Sequence, residues 1–367
     1  MQLRRSAVEE LGYWIAFTRV NGVGPVRFRR LLDYFGSMRE AWQAGAEALA
    51  QAGLEARTVE AVRAAQASVI PEREVERLER AGVKAITWQD TSYPERLRQI
   101  YSPPPVLYMR GVISSADDWA VAVVGTRRAS VYGQEVARRL AGELAEHGVT
   151  VVSGLARGID THAHRAAIQA GGRTIAVLGS GLDVIYPPEN ARLAESVIEC
   201  GALISEYPLG TKPEATNFPQ RNRIISGLSL GTLVVEAGPT SGALITADFA
   251  AEEGREVFAV PGSILSRGSG GTNRLIQQGA KLVTSVQDIL EELNLSSLPQ
   301  QLEMKALLPE NETEAALLGL LSSEPMHVDD LVRASNFTVS QVTAALTMME
   351  LKGLVRPAGS MSYVRAR

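Results

Sequence analysis

The sequence contains little cysteine, no long apolar run and no excess of basic charge, and each absence excludes a class of protein. Its 367 residues include one cysteine, Cys200, so an intramolecular disulfide framework is excluded and a reducing compartment is expected. No apolar stretch approaches the roughly 18 residues of a membrane span. The basic start of the chain is not followed by the apolar region of a signal peptide. We therefore expect a cytoplasmic protein that does not enter a membrane.

The charge balance argues against a broadly basic surface for nucleic acid. The chain has 37 Lys and Arg against 41 Asp and Glu, a net charge of -4. Within residues 119–293 there are 15 basic and 18 acidic residues, which gives -3. An anion site must therefore be a local pocket that is built from a few well-placed groups.

The hydrophobic pattern divides the chain into five segments. Short helices are predicted over 1–88, a proline-rich connector over 89–118, a sheet domain over 119–293, a linker over 294–311, and three helices with a hairpin over 312–367. The last outline is that of a winged helix.

Seven short β-branched runs alternate with helical stretches in the sheet domain. Because these runs are continuously apolar, both faces of each strand should be covered, which is typical of a doubly wound, Rossmann-like parallel sheet in an α/β protein. The predicted strands are Val121–Gly125, Thr150–Ser153, Thr174–Leu178, Leu203–Ser205, Thr232–Glu236, Glu256–Val260 and Lys281–Thr284.

Glycine-rich turns follow most of these strands, and ligands bind at the carboxyl ends of such strands. Glycine lets an anion approach the backbone, and the following helix attracts it. Neither a complete Gly-x-Gly-x-x-Gly nor a P-loop occurs, so a dinucleotide enzyme and a P-loop NTPase are both disfavoured. The candidate anion-binding residues in these turns are Gly125, Thr126, Arg127, Arg128, Gly154, Gly179 and Gly181.

A second candidate is the segment 217–225, which contains Phe218, Arg221, Asn222 and Arg223. Arginine forks match phosphate oxygens, asparagine can read a base edge, and phenylalanine can stack on a base. The alternative is a core phenylalanine beside a capping cluster with solvated arginines.

Catalytic candidates are few. Asp160 and His164 lie four residues apart on one predicted helix face, where they could form an acid–base pair or simply cap and hold the helix. Glu206 and Glu236 end strands, but no nucleophile or set of metal ligands accompanies them. An enzyme that processes a nucleotide or a phosphorylated small molecule is therefore the alternative to a DNA-binding protein.

Both ends of the chain carry weaker DNA-binding signals. The stretch from Gly22 and Gly24 to Arg27 and Arg30 fits a helix–hairpin–helix, which exposes N–H groups to a phosphate. The predicted recognition helix of the winged helix, 338–352, contains no arginine. That absence favours a protein contact over strong duplex binding.

Together, these stretches resemble the DNA processing protein A family (DprA, also called Smf). The motifs, in order, are Val124–Arg127, Val152–Asp160 with His164, Val177–Asp183 with Tyr186-Pro187, Ser205–Pro208, Phe218–Arg223, Val235–Ala237, Ser241–Thr246 and Val260–Ser263.

The resemblance implies a cofactor-free, metal-free, non-enzymatic homodimer with a SAM-like helical domain and a winged helix. It implies binding of single-stranded DNA, with duplex DNA bound more weakly, and loading of the RecA recombinase during natural transformation. It assigns DNA contact to Arg127. Some relatives have Lys where this chain has Pro188, and Arg192 or Lys212 is the expected substitute. The implied dimer surface comprises Ile264, Leu275, Ile276 and Val283.

Overall fold

A nine-stranded mixed sheet is the largest element of the structure. The computed structural model describes residues 2–295, 311–322, 324–335, 337–352, 354–359 and 361–365. Two compact units divide at Asn294, inside the predicted linker 294–311, most of which lies outside the described residues. The strands are β1 Lys84–Thr87, β2 Val106–Gly111, β3 Ala120–Val124, β4 Thr150–Ser153, β5 Thr174–Leu178, β6 Ala202–Ser205, β7 Gly231–Val234, β8 Glu256–Ala259 and β9 Lys281–Leu282.

The strand order is β1-β2-β6-β5-β4-β3-β7-β8-β9. Strands β3 to β9 run parallel to one another, and they match the seven predicted strands, so the parallel sheet is confirmed. The pattern did not predict β1 and β2, which pair antiparallel to each other, and β2 also pairs antiparallel to β6. The segment 89–118 is therefore more than a connector, because it supplies β2.

The chain reverses its direction of travel across the sheet at β3. From β3 it proceeds through β4 and β5 to β6, and it then returns to place β7 on the other side of β3. Such a reversal opens a crevice at the carboxyl ends of the flanking strands, where ligands of open α/β sheets bind. Helices cover both faces: α7 Glu95–Arg98, α8 Val131–Glu146, α9 Ile159–Gln169, α10 Ala191–Cys200, α11 Asn217–Gly227, α12 Ala243–Glu252, α13 Gly270–Gln277 and α14 Val286–Glu292.

The amino-terminal helices share a hydrophobic core with this sheet. Trp14, Phe17 and Phe28 form its aromatic centre, and Tyr108 of β2 belongs to the same cluster. The hydroxyl of Thr18 lies 2.8 Å from that of Tyr108, so a hydrogen bond connects the helical layer to the sheet. The helices are α1 Gln2–Thr18, α2 Pro25–Phe35, α3 Met38–Gln43, α4 Ala46–Gln51, α5 Ala56–Ser68 and α6 Pro71–Arg80.

The second unit has the predicted winged-helix outline. Helices α15 Glu312–Leu320, α16 Val328–Ser335 and α17 Val339–Leu351 pack on a small sheet, β10 Met326–His327, β11 Val355–Pro357 and β12 Ser362–Arg365. Its core contains Leu317, Leu331 and Leu346. Within the described ranges, no helix has the length and apolarity to cross a membrane.

Candidate nucleic-acid groove

A cavity of about 650 Å³ opens where the chain reverses at β3. We call it the first groove. One wall is the turn after β3, another is the first turn of α11, and the third is the start of α12. The residues that line it include Gly125, Thr126, Arg127, Arg128, Asp160, Tyr186, Phe218, Arg221, Asn222, Ser241, Gly242 and Thr246.

The turn after β3 is fixed from several sides. A Cβ atom on Gly125 would lie 2.5 Å from the Ile159 side chain, so only glycine fits there. The Thr126 N–H donates to the Glu236 carbonyl at 2.7 Å, and the Ser130 N–H donates to the Glu236 carboxylate at 2.9 Å. Because both ends of the turn are anchored at the end of β7, Arg127 is presented on a rigid base.

Arg127 and two aromatic rings form a stack at the mouth of the first groove. The Arg127 guanidinium lies 5.1 Å from the Phe218 ring centroid, within cation–π range. The Tyr186 ring packs on Phe218 with centroids 5.6 Å apart. A Cβ on Gly179 would lie 2.9 Å from the Phe218 ring, so this glycine makes room for it. Among the described residues, no carboxylate forms a salt bridge with Arg127 or Arg128.

Arg221 forms part of the floor of the first groove. Arg221 is buried, with only 4% of its surface exposed. Its guanidinium donates hydrogen bonds to the Gly154 carbonyl, at 2.9 Å, and to the Val177 carbonyl. The Asp160 carboxylate beside it accepts from the Gly154 N–H at 3.1 Å. Burial raises the pKa of Asp160 to about 6 and lowers that of Arg221 to about 10. Arg221 therefore positions the strand ends from below through its Nη1 donor.

Arg223 lies on the opposite side of α11, so the expectation that it shares a pocket with Arg127 is wrong. Two residues span about 200° on an α-helix, which points Arg221 and Arg223 in different directions. Arg223 pairs with the Glu206 carboxylate through two contacts of 2.6 and 2.7 Å. Its Nε–H donates to the Ser102 carbonyl at 2.9 Å.

Arg223 lines another cavity of about 650 Å³, which we call the second groove. Gly22, Gly24 and Arg27 of the helix–hairpin–helix also line it, whereas Arg30 donates to the Gly53 carbonyl at 3.4 Å and is not part of the lining. Three of the four secondary candidates are thus brought together with Arg223, and none of them lies in the first groove.

Of the remaining candidates, one lines the first groove, one lies beside it and one is buried. The Asn222 amide lines the groove and donates to the Gly242 carbonyl at 3.3 Å. Lys212 is exposed and precedes Pro213, which lines the groove. Gly181 lies below the surface, where its N–H donates to the Thr211 carbonyl at 3.0 Å.

Four functional candidates were not singled out from the sequence. Tyr186, Ser241 and Thr246 line the first groove, and Arg157 lines a small extension of it together with Gly154 and Pro187. The Tyr186-Pro187 pair and the glycine turn after β7 were the sequence signals from which Tyr186, Ser241 and Thr246 could have been identified. Arg157 lies on the turn after β4 and pairs with Glu189, which directly follows Pro188.

The catalytic candidates all have structural partners. The His164 Nδ1 lies 2.7 Å from the Thr174 hydroxyl, and Asp160 instead accepts from backbone N–H groups. Burial lowers the pKa of His164 to about 3, so the imidazole is neutral. Glu206 pairs with Arg223, and Glu236 accepts at the start of α8. In the described part of the chain, no group of three or more His, Cys, Asp or Glu is placed to hold a metal.

The expected dimer surface requires correction. Ile264 is 92% exposed and Ile276 is half-buried, but Leu275 and Val283 are buried in the core. Leu275 of α13 and Val283, which directly follows the edge strand β9, are buried in the core and are unavailable to a partner.

The fold and the first groove define an α/β protein with an open cationic and aromatic site at a strand crossover, whose sequence also contains an N-terminal helix–hairpin–helix and a C-terminal winged helix. Three family models match in that same arrangement: an N-terminal HHH domain of the DprA type over 9–76, DNA recombination-mediator protein A over 84–294, and the DprA winged helix domain over 302–359. The chain belongs to the DNA recombination-mediator protein A family.

Individual proteins show the same similarity. Protein Smf of Synechocystis is 36% identical over 98% of this chain and 100% of its own. The X-ray structure of DNA processing protein A from Streptococcus pneumoniae is 39% identical, with a TM-score of 0.67 over 77% of this chain and 97% of its own. The Helicobacter pylori structure is 29% identical, with a TM-score of 0.52 over 57% and 95%, and its description concerns a single-stranded DNA binding mode.

Proposed function

We propose that this protein binds single-stranded DNA in the first groove and acts as a recombination mediator. The observation that carries the proposal is the exposed Arg127 guanidinium over the Phe218 ring, on a turn that is anchored at Glu236. The Helicobacter pylori relative, described as a single-stranded DNA binder, supports the same ligand.

The chemistry of the groove favours a single strand over a duplex. Phosphate oxygens bind to the Arg127 and Arg128 guanidinium groups, while an unpaired base stacks on the Phe218 and Tyr186 rings. In a duplex the bases are already stacked on one another and cannot stack on these rings. We therefore expect duplex DNA to bind more weakly. Since every base has an aromatic face, recognition tolerates sequence and depends strongly on salt.

Arg157 supplies the cation that some relatives place at the position of Pro188. It lines the extension of the first groove with Arg127 and Phe218, and its ion pair with Glu189 is exposed to solvent. Neither Arg192 nor Lys212 lines the groove, although Lys212 directly precedes Pro213, which does. A phosphate can exchange with Glu189 at low cost because exposed ion pairs contribute little.

The mediator role has three further parts. The protein protects bound strands, hands them to the RecA recombinase in natural transformation or another recombination route, and works as a cytoplasmic homodimer. Ile264 and the adjacent Leu265, both 92% exposed, support a dimer surface at this loop. Exposed apolar side chains of this size favour a protein contact.

An enzyme of nucleotide chemistry is the competing function. Against it, Asp160, His164, Glu206 and Glu236 are each held by structural partners, which leaves no free acid–base pair among the described residues at the first groove. We therefore propose that the protein is not an enzyme.

The test measures affinity for a labelled oligonucleotide by fluorescence anisotropy, as a single strand and as a duplex, over a range of salt concentrations. Tighter binding of the single strand with a negative salt dependence supports the proposal. Equal or tighter binding of the duplex contradicts it. Turnover of a nucleotide panel that Asp160→Asn abolishes would establish the enzyme instead, and acceleration of RecA filament formation on coated strands tests the mediator role.

A further inference from the structure

The second groove adjoins the first at the beginning of α11. Pro219 lines the first groove and the next residue, Gln220, lines the second. The two cavities have the same volume, about 650 Å³ each, and they lie on opposite sides of one helix. A flexible chain that leaves Phe218 therefore reaches the second groove by crossing a single turn.

The walls of the second groove are rigid. On one side stands the helix–hairpin–helix loop with Gly22 and Gly24, held by the Thr18 contact with Tyr108. On the other side is the loop 101–105, which contains three consecutive prolines and accepts a hydrogen bond from Arg223 at Ser102. A rigid groove binds a ligand without a large ordering cost.

The loop 101–105 presents an aromatic ring to solvent. Tyr101 is 93% exposed, and it directly precedes Ser102, which lines the second groove. Within the described residues its ring makes no aromatic or cation–π contact of the kind seen at Phe218. An exposed ring on a stiff loop can stack on a base and loses little conformational freedom in doing so.

The charges of the second groove also suit a phosphodiester chain. Its charged lining residues are Arg27, Arg223 and Glu206. Arg223 and Glu206 neutralise each other, whereas Arg27 pairs with Glu55 at 2.9 Å, an ion pair at the surface that a phosphate can replace at low cost. Tyr207 and Gln220 add neutral polar groups to the same wall.

We propose that a single strand of DNA continues from the first groove over the first turn of α11 into the second groove, where one of its bases stacks on Tyr101. This extension rests on the proposed single-strand binding. It gives the helix–hairpin–helix a role on the same strand rather than on a separate duplex. Arg223 then acts as a positioning residue that fixes the loop bearing Tyr101.

The test compares Tyr101→Ala with the full-length wild-type protein on oligothymidylates from roughly 5 to 25 nucleotides, a span that brackets known single-strand site sizes. For the shortest strands, which fill only the first groove, the two affinities should agree. For long strands, Tyr101→Ala should weaken binding about fivefold or more, which corresponds to the loss of one stacked base. Tyr101→Phe keeps the ring and should match the wild type at every length.

A matched control removes an exposed tyrosine elsewhere: Tyr34→Ala, on α2 and outside both grooves, should leave all lengths unaffected. Equal affinity of Tyr101→Ala and wild type on long strands would overturn the extension, as would a loss of the same size at every length. Failure of the proposed function looks different, because the wild type itself would then not bind the short strands. Since Tyr101 is exposed, its removal leaves folding intact, and a thermal melt verifies this.

Discussion

Replacement of Arg127 by alanine gives the most informative test of the first groove. Arg127 is exposed, stands on an anchored turn and has no salt bridge to a carboxylate in the described part of the chain. Its removal should leave the fold unchanged, since the contacts of the turn are made by the backbone of Thr126 and by Glu236.

The expected magnitude follows from the phosphate contact. A hydrogen bond to a charged group contributes about 1.5–3 kcal/mol, so the Arg127→Ala variant should bind a single strand roughly 10- to 150-fold more weakly. The cation–π contact with Phe218 does not add to this loss, because the variant lacks it in the free protein and in the complex alike. The slope of log affinity against log salt should fall by about 0.7, the value for one phosphate on a single strand.

Anisotropy titrations of a short oligonucleotide over several salt concentrations measure both quantities. Arg139→Ala is the matched control, because it removes one exposed arginine from α8, outside the groove, where it pairs with Glu143 at 2.9 Å. That control should bind within about twofold of the wild type. Arg127→Lys should keep the salt slope and recover part of the affinity. An Arg127→Ala variant with an unchanged slope and the affinity of the control would refute the assignment.

Four further predictions concern other parts of the structure. Arg223→Ala should lower the free energy of unfolding by about 3 kcal/mol in urea denaturation, because Glu206 loses its partner in a partly buried site, and an added Glu206→Gln should restore part of it. Between pH 4 and 6 the folded state retains a proton on Asp160 that the unfolded state has released. This carboxyl therefore lowers the free energy of unfolding as pH rises, by up to about 3 kcal/mol. The Asp160→Asn variant should lack that pH dependence. His164 has the opposite sign: its folded pKa is about 3, so its contribution is lost as pH falls below about 6, and His164→Gln should reduce the loss in acid denaturation. Ile264→Glu should shift a dimer toward monomer in sedimentation, and an unchanged mass would contradict the dimer surface.

The sheet could be predicted from the sequence because its strands are buried on both faces. A continuous apolar run such as Thr174–Leu178 has no competing interpretation when glycine follows and helices flank it. By contrast, β1 is short and half-exposed, and β2 begins directly after three prolines, so neither gives that signal.

The candidate site could be predicted only in part, because composition does not reveal which face of a helix points where. Phe218 and Asn222 are four residues apart and share the first groove, as a helical period requires. Arg221 and Arg223 are only two residues apart, which is about 200° around the helix, so they have different surroundings. Leu275 and Val283 illustrate a second limit: an apolar side chain in the core and one at an interface have the same sequence pattern.

The central claim is that a single strand lies in the first groove with a base on Phe218, and photocrosslinking locates that strand directly. An oligonucleotide in which 5-bromodeoxyuridine replaces one thymidine is bound, irradiated and digested, and the attached peptide is identified by mass spectrometry. We expect attachment at Phe218 or Tyr186, which unlabelled single strands should abolish by competition and duplex DNA should not. Attachment confined to the winged helix at 312–367, or elsewhere outside both grooves, would contradict it.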